Sequence, residues 1–361
     1  MSALPASAAV LLGLAACASA AAVPAPPDRA GVRIERHLTA MGTGLTVEVR
    51  AADRPRALAA SEAAVRAIEA VEGRLSTWRE DTELAALNRS SLGEPVPLSP
   101  KLRDDLYRAW ELSRATGGAF DPGVGALVAA WGLRTGGRVP SREELAAALA
   151  ATGIARFDLR GNTLTRLCTG ARIEEGGFGK GVGLDAAREA LEEADVLGAT
   201  VDLGGQVLHV ARAGSAEPLR YAIADPRERE RPVVELAFAS GSLATSGNSE
   251  RAVVVGAERI GHLLDPRTGR PARDFGSVTV LAQDATTADA LSTGLFVLGP
   301  SAALDWARRE PSIDVLVLEV VRTESGEERL VATGTPGLRG RLRTLDPTVE
   351  LRVLNREPKP R

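Results

Sequence analysis

The sequence predicts an α+β protein with largely antiparallel sheets and a few packed helices. Three observations lead there. From "ATVDLGG" to "GSVTVLA", strand-like runs follow one another with few helices between them, a pattern of antiparallel pairing rather than doubly wound α/β. Near the start, "VRIERHLTA" and "LTVEVR" alternate apolar and polar residues on either side of the glycine turn "MGTG", which predicts a hairpin. Helical periodicity is confined to a handful of stretches. At 361 residues, with 44% hydrophobic and 25% charged residues, the chain suits one large domain or two lobes sharing a core.

The elements follow in order. Leu58, Val65, Ile68 and Val71 recur at helical spacing within 54–75. A short helix after "LSTWRED" has Asp81 or Thr82 as its cap. A further helix runs from Pro100 to Ala115, with Ser99 as N-cap and proline at the first helical position. "SREELAAALAATG" carries a capping box from Ser141 to Glu144 and a glycine stop. "EEGGFGKGVG" leads into a helix over Gly181 to Ala194. A late helix spans about Thr287 to Leu298, with Thr286 as the candidate N-cap and Asp289 at its third position. After Pro311, "SIDVLVLEVV" and "ERLVATG" predict a terminal hairpin, and 346–361 reads as a tail.

Residues 1–20 read as a secretory signal, too short and wrongly flanked for a membrane-spanning helix, and 21–31 as a Pro/Ala tether. Within the signal, Leu14 to Cys17 ("LAAC") resembles a bacterial lipobox, which would anchor the protein by a lipid on Cys17 at the periplasmic side of the inner membrane. No Lys or Arg precedes the apolar run, and ordinary cleavage after Ala18-Ser19-Ala20 is the alternative. With Cys17 acylated, Cys168 has no partner, so the fold does not depend on disulfides. A formal net charge of −3 and the lack of any basic surplus argue against nucleic acid as a partner.

Five loop or helix segments could carry chemistry. In "ATTADALSTG", Asp289 and Thr293 stand four positions apart, so their oxygens share a helix face. That pair suits a hard cation, whereas Asp289 alone suits an ordinary cap. Trp78 sits in a loop, where an indole either stacks on a planar ligand or anchors the core. Asp121 before Pro122 either starts a helix or faces a ligand. The glycines of "EEGGFGKGVGLD" open a helix whose N–H groups can cradle phosphate, although the spacing is neither a Walker loop nor a Rossmann fingerprint. His262, three residues before Asp265, is either structural or a proton carrier. No His/Cys cluster has zinc spacing and no Gly-x-Ser-x-Gly elbow is present. Asp and Thr oxygens among glycine loops suit Mg²⁺ and phosphate chemistry better than acyl transfer.

Taken in order, the motifs resemble the ApbE family, the FAD:protein FMN transferases. They are "MGT" (41–43), "LSTW" with "LN" (75–88), "TGGAFDPGVGALVAAWG" (116–132) and "GGFGKGVGLD" (176–185). "DLGG" (202–205), "ATSGN" (244–248), "HLLDPRTGRP" (262–271) and "SVTVLAQDATTADALSTGLFVLG" (277–299) complete them, so the likeness covers about 33–310. The resemblance implies a transferase domain over 32–345, made of two α+β lobes with FAD in the cleft between them and Mg²⁺ at its diphosphate. Asp289, Thr293 and the carbonyl of Gly179 fall on the family's metal ligands. Met41, Trp78, Ala119, Phe120, Asp121, Gly176, Val182 and Leu263 fall on FAD-lining positions, with Asp265 beside them, and His262 on a histidine of the transfer step. Trp78 replaces a frequent Tyr, Val182 an aromatic, Glu174-Glu175 an Asp-Leu pair, and Ser249 a common Tyr.

The implied reaction attaches FMN through a phosphoester to a Thr or Ser of an acceptor flavoprotein and releases AMP. Two alternatives stand beside it: hydrolysis of FAD to FMN and AMP, and storage of FAD by an exported binding protein.

Overall fold

The computed structural model describes residues 31–212, 218–248, 252–255 and 258–355. The signal with Cys17, the tether up to residue 30, and Ser249 lie outside the described residues. Among those described, no helix is long and apolar enough to cross a membrane.

Strands β1 (Val32–Ala40) and β2 (Thr43–Ala51) form the expected hairpin, paired from Val32–Ala51 to Ala40–Thr43. Its turn puts Met41 and Gly42 at φ 50° and 71°. Glycine enters that left-handed region freely and methionine does not; the Met41 N–H is tied to the Glu72 carboxylate at 2.9 Å. Helix α1 (Arg54–Leu75) starts on an Asp53 cap and buries Val65, Ile68 and Val71. Leu58, expected on that face, is exposed, because Ala57, Ala60 and Ala64 form the stripe that meets the sheet.

Helix α2 (Glu83–Arg89) is capped by Thr82, not Asp81. Strand β3 (Pro95–Pro97) and helix α3 (Pro100–Ala115) follow, and α3 opens on the expected Ser99 cap. Next come α4 (Gly125–Ala130), then α5 (Arg142–Ala150) with its Ser141–Glu144 capping box. Strands β4 (Phe157–Arg160) and β5 (Thr163–Arg166) join β3 in a small sheet. Helix α6 (Gly179–Glu193) begins two residues before the expected start.

Strands β6 (Gly198–Leu203), β7 (Gln206–Ala211), β8 (Leu219–Asp225), β9 (Glu228–Phe238) and β10 (Gly241–Gly247) then run in succession. A hairpin of β11 (Ala252–Val255) and β12 (Glu258–Gly261) precedes β13 (Gly276–Ala282). Helices α7 (Ala285–Leu298) and α8 (Pro300–Arg309) lead to the predicted hairpin of β14 (Asp314–Arg322) and β15 (Glu328–Gly334). Strands β16 (Leu342–Thr344) and β17 (Glu350–Val353) end the described chain. The stretch from 346, read as tail, thus carries a strand: β17 pairs in parallel with β15 and closes the edge of the main sheet.

That sheet has nine strands in the order β1-β2-β6-β7-β10-β13-β14-β15-β17, antiparallel throughout except for its last pair. Strand alternation gives it two apolar faces. Val278, Val280, Val315 and Val317 face α3, α7 and α8, while Leu281, Leu316 and Leu318 face the small sheet β16-β9-β8. At the other end, Val47, Val49, Val201 and Leu203 pack under α1 and α6. The expected α+β class holds; the spacing of strands gave no hint that one sheet would run through the molecule.

Helix α7 does not start as expected. Asp284 is its N-cap and accepts the Thr287 N–H at 2.8 Å. Thr286 lies inside the helix, where Asp185 of α6 takes its N–H (2.9 Å), its hydroxyl (2.7 Å) and the Ala285 N–H (2.7 Å). Two other carboxylates therefore satisfy the free N–H groups of the first turn. Asp289 is released from capping.

Candidate active site at the junction of two helices

Helices α6 and α7 meet with almost no side chain between them. A Cβ on Gly181 would lie 2.5 Å from both the Ala285 carbonyl oxygen and the Thr286 Cα, so only glycine permits the approach. Across this contact the Asp289 carboxylate, 4% exposed, reaches the start of α6. Its Oδ2 accepts the Gly181 N–H at 3.0 Å and its Oδ1 accepts the Lys180 ammonium at 3.0 Å. Such charge-assisted bonds are what make a buried carboxylate tolerable. Asp185, which braces the start of α7, has its carboxyl pushed up by burial, against the bonds it accepts from α7.

Beside Asp289 lies a row of hydroxyls. Ser246 of β10 is 2.8 Å from the Ser292 hydroxyl and 3.5 Å from that of Thr293. Gly177 closes over this row, since a Cβ there would be 3.2 Å from the Phe120 ring and 3.5 Å from Thr293 Oγ1. Phe120 meets Phe178 edge-on and abuts Gly294, one residue past Thr293. Met41 comes in from the β1–β2 turn: Cβ atoms on Gly179 and Gly183 would fall 3.4 Å from its Cε and 3.2 Å from its sulfur. Val182 and Ala119 are buried nearby in the core. The structure thus gathers Met41, Phe120, Gly179, Val182, Asp289 and Thr293 from four segments around the start of α6.

Trp78 stands on the rim, 66% exposed, with the Arg134 guanidinium carbon 4.5 Å from its ring centroid. Arg134 donates to the Thr77 carbonyl at 2.8 Å and pairs with Glu174. Glu175 accepts the Thr77 N–H at 2.9 Å and the Thr77 hydroxyl. The residues just before Gly176 therefore fix the loop that presents the indole. Burial and the neighbouring Glu175 push the Glu174 carboxyl up to about 7, outweighing Arg134.

Asp121 turns inward. It accepts the N–H groups of Gly123 (2.7 Å) and Ile154 (3.1 Å) and the Ser113 hydroxyl (3.3 Å), and burial raises its carboxyl. Its side chain caps the short turn Pro122–Val124, the ordinary role weighed from sequence. Asp265 is likewise engaged, by the Arg267 N–H and guanidinium at 2.9–3.0 Å. The Trp131 indole N–H binds the Gly269 carbonyl at 2.8 Å and pins that turn to α4. Leu263 packs against the main core, and His262 follows directly on β12.

Sequence reasoning missed Asp185, Ser246 and Ser292, whose roles depend on partners 46–101 residues away, and Arg134, which no local pattern marks. Among the described residues, no three His, Cys, Asp or Glu side chains gather as a metal cluster. The floor of the site is one carboxylate, three hydroxyls and a glycine loop. It can hold a hard cation only together with oxygens from a ligand.

Comparison with known proteins agrees with this architecture. The ApbE family model matches residues 41–317. The FAD:protein FMN transferase of Vibrio cholerae is 33% identical over 266 residues, 72% of this chain and 79% of that protein. That of Haemophilus influenzae is 31% identical over 298 residues, 78% of this chain and 85% of that protein. Among solved structures, the ApbE protein of Thermotoga maritima superposes with a TM-score of 0.74 at 31% identity, over 83% of this chain and 97% of that one. The Pseudomonas stutzeri flavinyl transferase ApbE gives 0.74 at 26%, over 86% and 97%.

Proposed function

The chain belongs to the ApbE family, and on that premise we propose that it is an FAD:protein FMN transferase. The observation that carries the reading is the shared activity named for relatives that match about three quarters of the chain. The α6–α7 junction supplies a physical rationale.

We place the FAD diphosphate over the glycine loop 176–181, where the glycines at 176, 177 and 179 let the backbone come close. Asp289 and Thr293, with the Gly179 carbonyl, would hold Mg²⁺. One carboxylate and neutral oxygens, completed by phosphate, fit that ion, and the Lys180 ammonium already marks Asp289 Oδ1 as a cation position. When bound, the ion neutralises charge developing on the phosphate oxygens. Trp78 offers a ring face for stacking. His262 takes the proton of a Thr or Ser hydroxyl on the acceptor protein as that oxygen bonds to the FMN phosphorus and AMP departs. The "LAAC" stretch supports export with a lipid on Cys17, on the periplasmic side of the inner membrane.

The test incubates the protein with FAD, Mg²⁺ and the flavin-free form of a flavoprotein that carries phosphoester-bound FMN. Flavin fluorescence that stays on the acceptor after denaturation is the expected result. Free FMN alone would mean hydrolysis, and unchanged FAD would mean storage. Asp289→Asn is expected to lose Mg²⁺-dependent AMP release; a rate near wild type would remove the metal assignment.

A further inference from the structure

Strand β10 runs from the α7 hydroxyls toward the segment that carries His262. Ser246 faces Ser292 and Thr293, while its neighbour Thr245 pairs across the sheet with Thr279 at 2.8 Å. Two residues beyond Ser246, about 7 Å along an extended chain, stands Asn248. It is 4% exposed, and its Oδ1 has no hydrogen-bond partner among the described residues. An unmet acceptor at that depth has lost its water without gaining a partner, and native chains rarely keep one without use.

Its position suggests the use. The Asn248 carboxamide lies against Gly261: a Cβ on Gly261 would fall 2.3 Å from Oδ1 and 2.5 Å from Cγ. Any side chain there would drive the amide away. Gly261 directly precedes His262, so the free acceptor sits one backbone step from the histidine and two residues from the serine that meets Thr293.

We propose that Asn248 contacts the substrate in the transfer step: a turn about its last side-chain bond, which breaks no hydrogen bond of Oδ1, carries that oxygen from the Gly261 backbone to the acceptor protein's Thr or Ser hydroxyl, whose hydrogen bond it accepts. This rests on the FMN-transfer reading. The hydroxyl O–H breaks and its proton passes to His262. The freed oxygen bonds to the FMN phosphorus, and the phosphorus–oxygen bond to AMP breaks. The amide takes no proton; it fixes the direction of the O–H and so aims the oxygen. A neutral acceptor suits this place, since a carboxylate would set negative charge beside the diphosphate.

The experiment compares wild type with Asn248→Leu, which keeps the branched shape with bulkier methyl groups and no hydrogen-bonding atom, and Asn248→Ala. It measures FMN transfer to the flavin-free acceptor, the FAD Kd by flavin fluorescence, and thermal melting. Both variants are expected to remain folded and melt within a few degrees of wild type, the lost unmet acceptor offsetting the change in packing, to bind FAD within twofold of wild type, and to transfer FMN at least tenfold more slowly. Wild-type transfer rates in a folded variant would overturn the proposal. So would an FAD Kd weakened by the same factor as transfer, which would assign the amide to FAD instead. If wild type itself leaves the acceptor unlabelled, the transfer reading fails and takes this assignment with it; labelling by wild type and undiminished labelling by the variants defeats this assignment alone.

Discussion

Replacing Gly181 by alanine tests the helix junction more sharply than removal of any charged group. The new Cβ would sit 2.5 Å from the Ala285 oxygen and 2.5 Å from the Thr286 Cα, about 0.9 Å inside the 3.4 Å of ordinary contact. Both obstacles are backbone, so no side chain can swing aside and α6 must move relative to α7. Overpacking of this kind costs about 1–3 kcal/mol, and the gain from replacing a helical glycine offsets roughly 0.5–1 kcal/mol of it. For a folded chain of this length the net loss of about 1–2 kcal/mol corresponds to a melting point lowered by roughly 1.5–3 °C. Function should suffer more. The shift moves Asp289 and Thr293 away from the glycine loop, and a displacement of about 1 Å at a reacting centre costs on the order of 10²-fold in rate. The assay is AMP release from FAD, measured well below the melting point, beside a thermal melt. Gly73→Ala is the control: nothing lies within 4 Å of its Cβ position, so it should stabilise α1 by about 0.5–1 kcal/mol and leave turnover alone. A Gly181→Ala protein with wild-type melting and turnover would refute both the close contact and its bearing on the site.

Three other outcomes follow from the same geometry. The Glu174 carboxyl, at about 7, keeps its proton in the folded chain where the unfolded chain has lost it. Stability should therefore be highest below pH 4.5 in this respect and fall between about pH 4.5 and 7, by up to about 1.4 kcal/mol per pH unit. Urea unfolding of Glu174→Gln across that window should show a flatter slope. Trp78→Ala should weaken FAD binding about 2–10-fold, the worth of one aromatic contact, in a fluorescence titration; unchanged affinity would make the exposed indole a bystander. His262→Ala should slow FMN transfer by about 10²-fold while the FAD Kd stays within twofold, and equal losses in both would count against a role in proton transfer.

Local signals read well where the chemistry itself is local. Ser99 before Pro100 and Ser141 before Glu144 fixed two helix starts, because the capping side chain and the N–H it serves are three residues apart. At α7 the same logic chose the wrong residue. Asp284 does the capping, and Asp185, from a different helix, holds Thr286; no spacing rule reaches across 101 residues. The carboxylate and hydroxyl of Asp289 and Thr293 were visible as a shared helix face, whereas Ser246 and Ser292 gained meaning only when β10 and α7 were packed together. The strand after 346 was hidden for a similar reason, since a parallel edge pairing carries no turn between the paired strands. Glu174 and Glu175 stood out as an unusual pair, and the structure gives them a task in fixing the Trp78 loop.

A crystal structure of the protein with FAD and magnesium would decide the matter most directly. The account predicts an ion about 2.1 Å from Asp289 Oδ1 and from the Thr293 hydroxyl, in contact with the FAD diphosphate, with the Lys180 ammonium displaced from its present 3.0 Å contact. An ion held elsewhere, or an Asp289 still paired with Lys180 while FAD lies in the site, would contradict it.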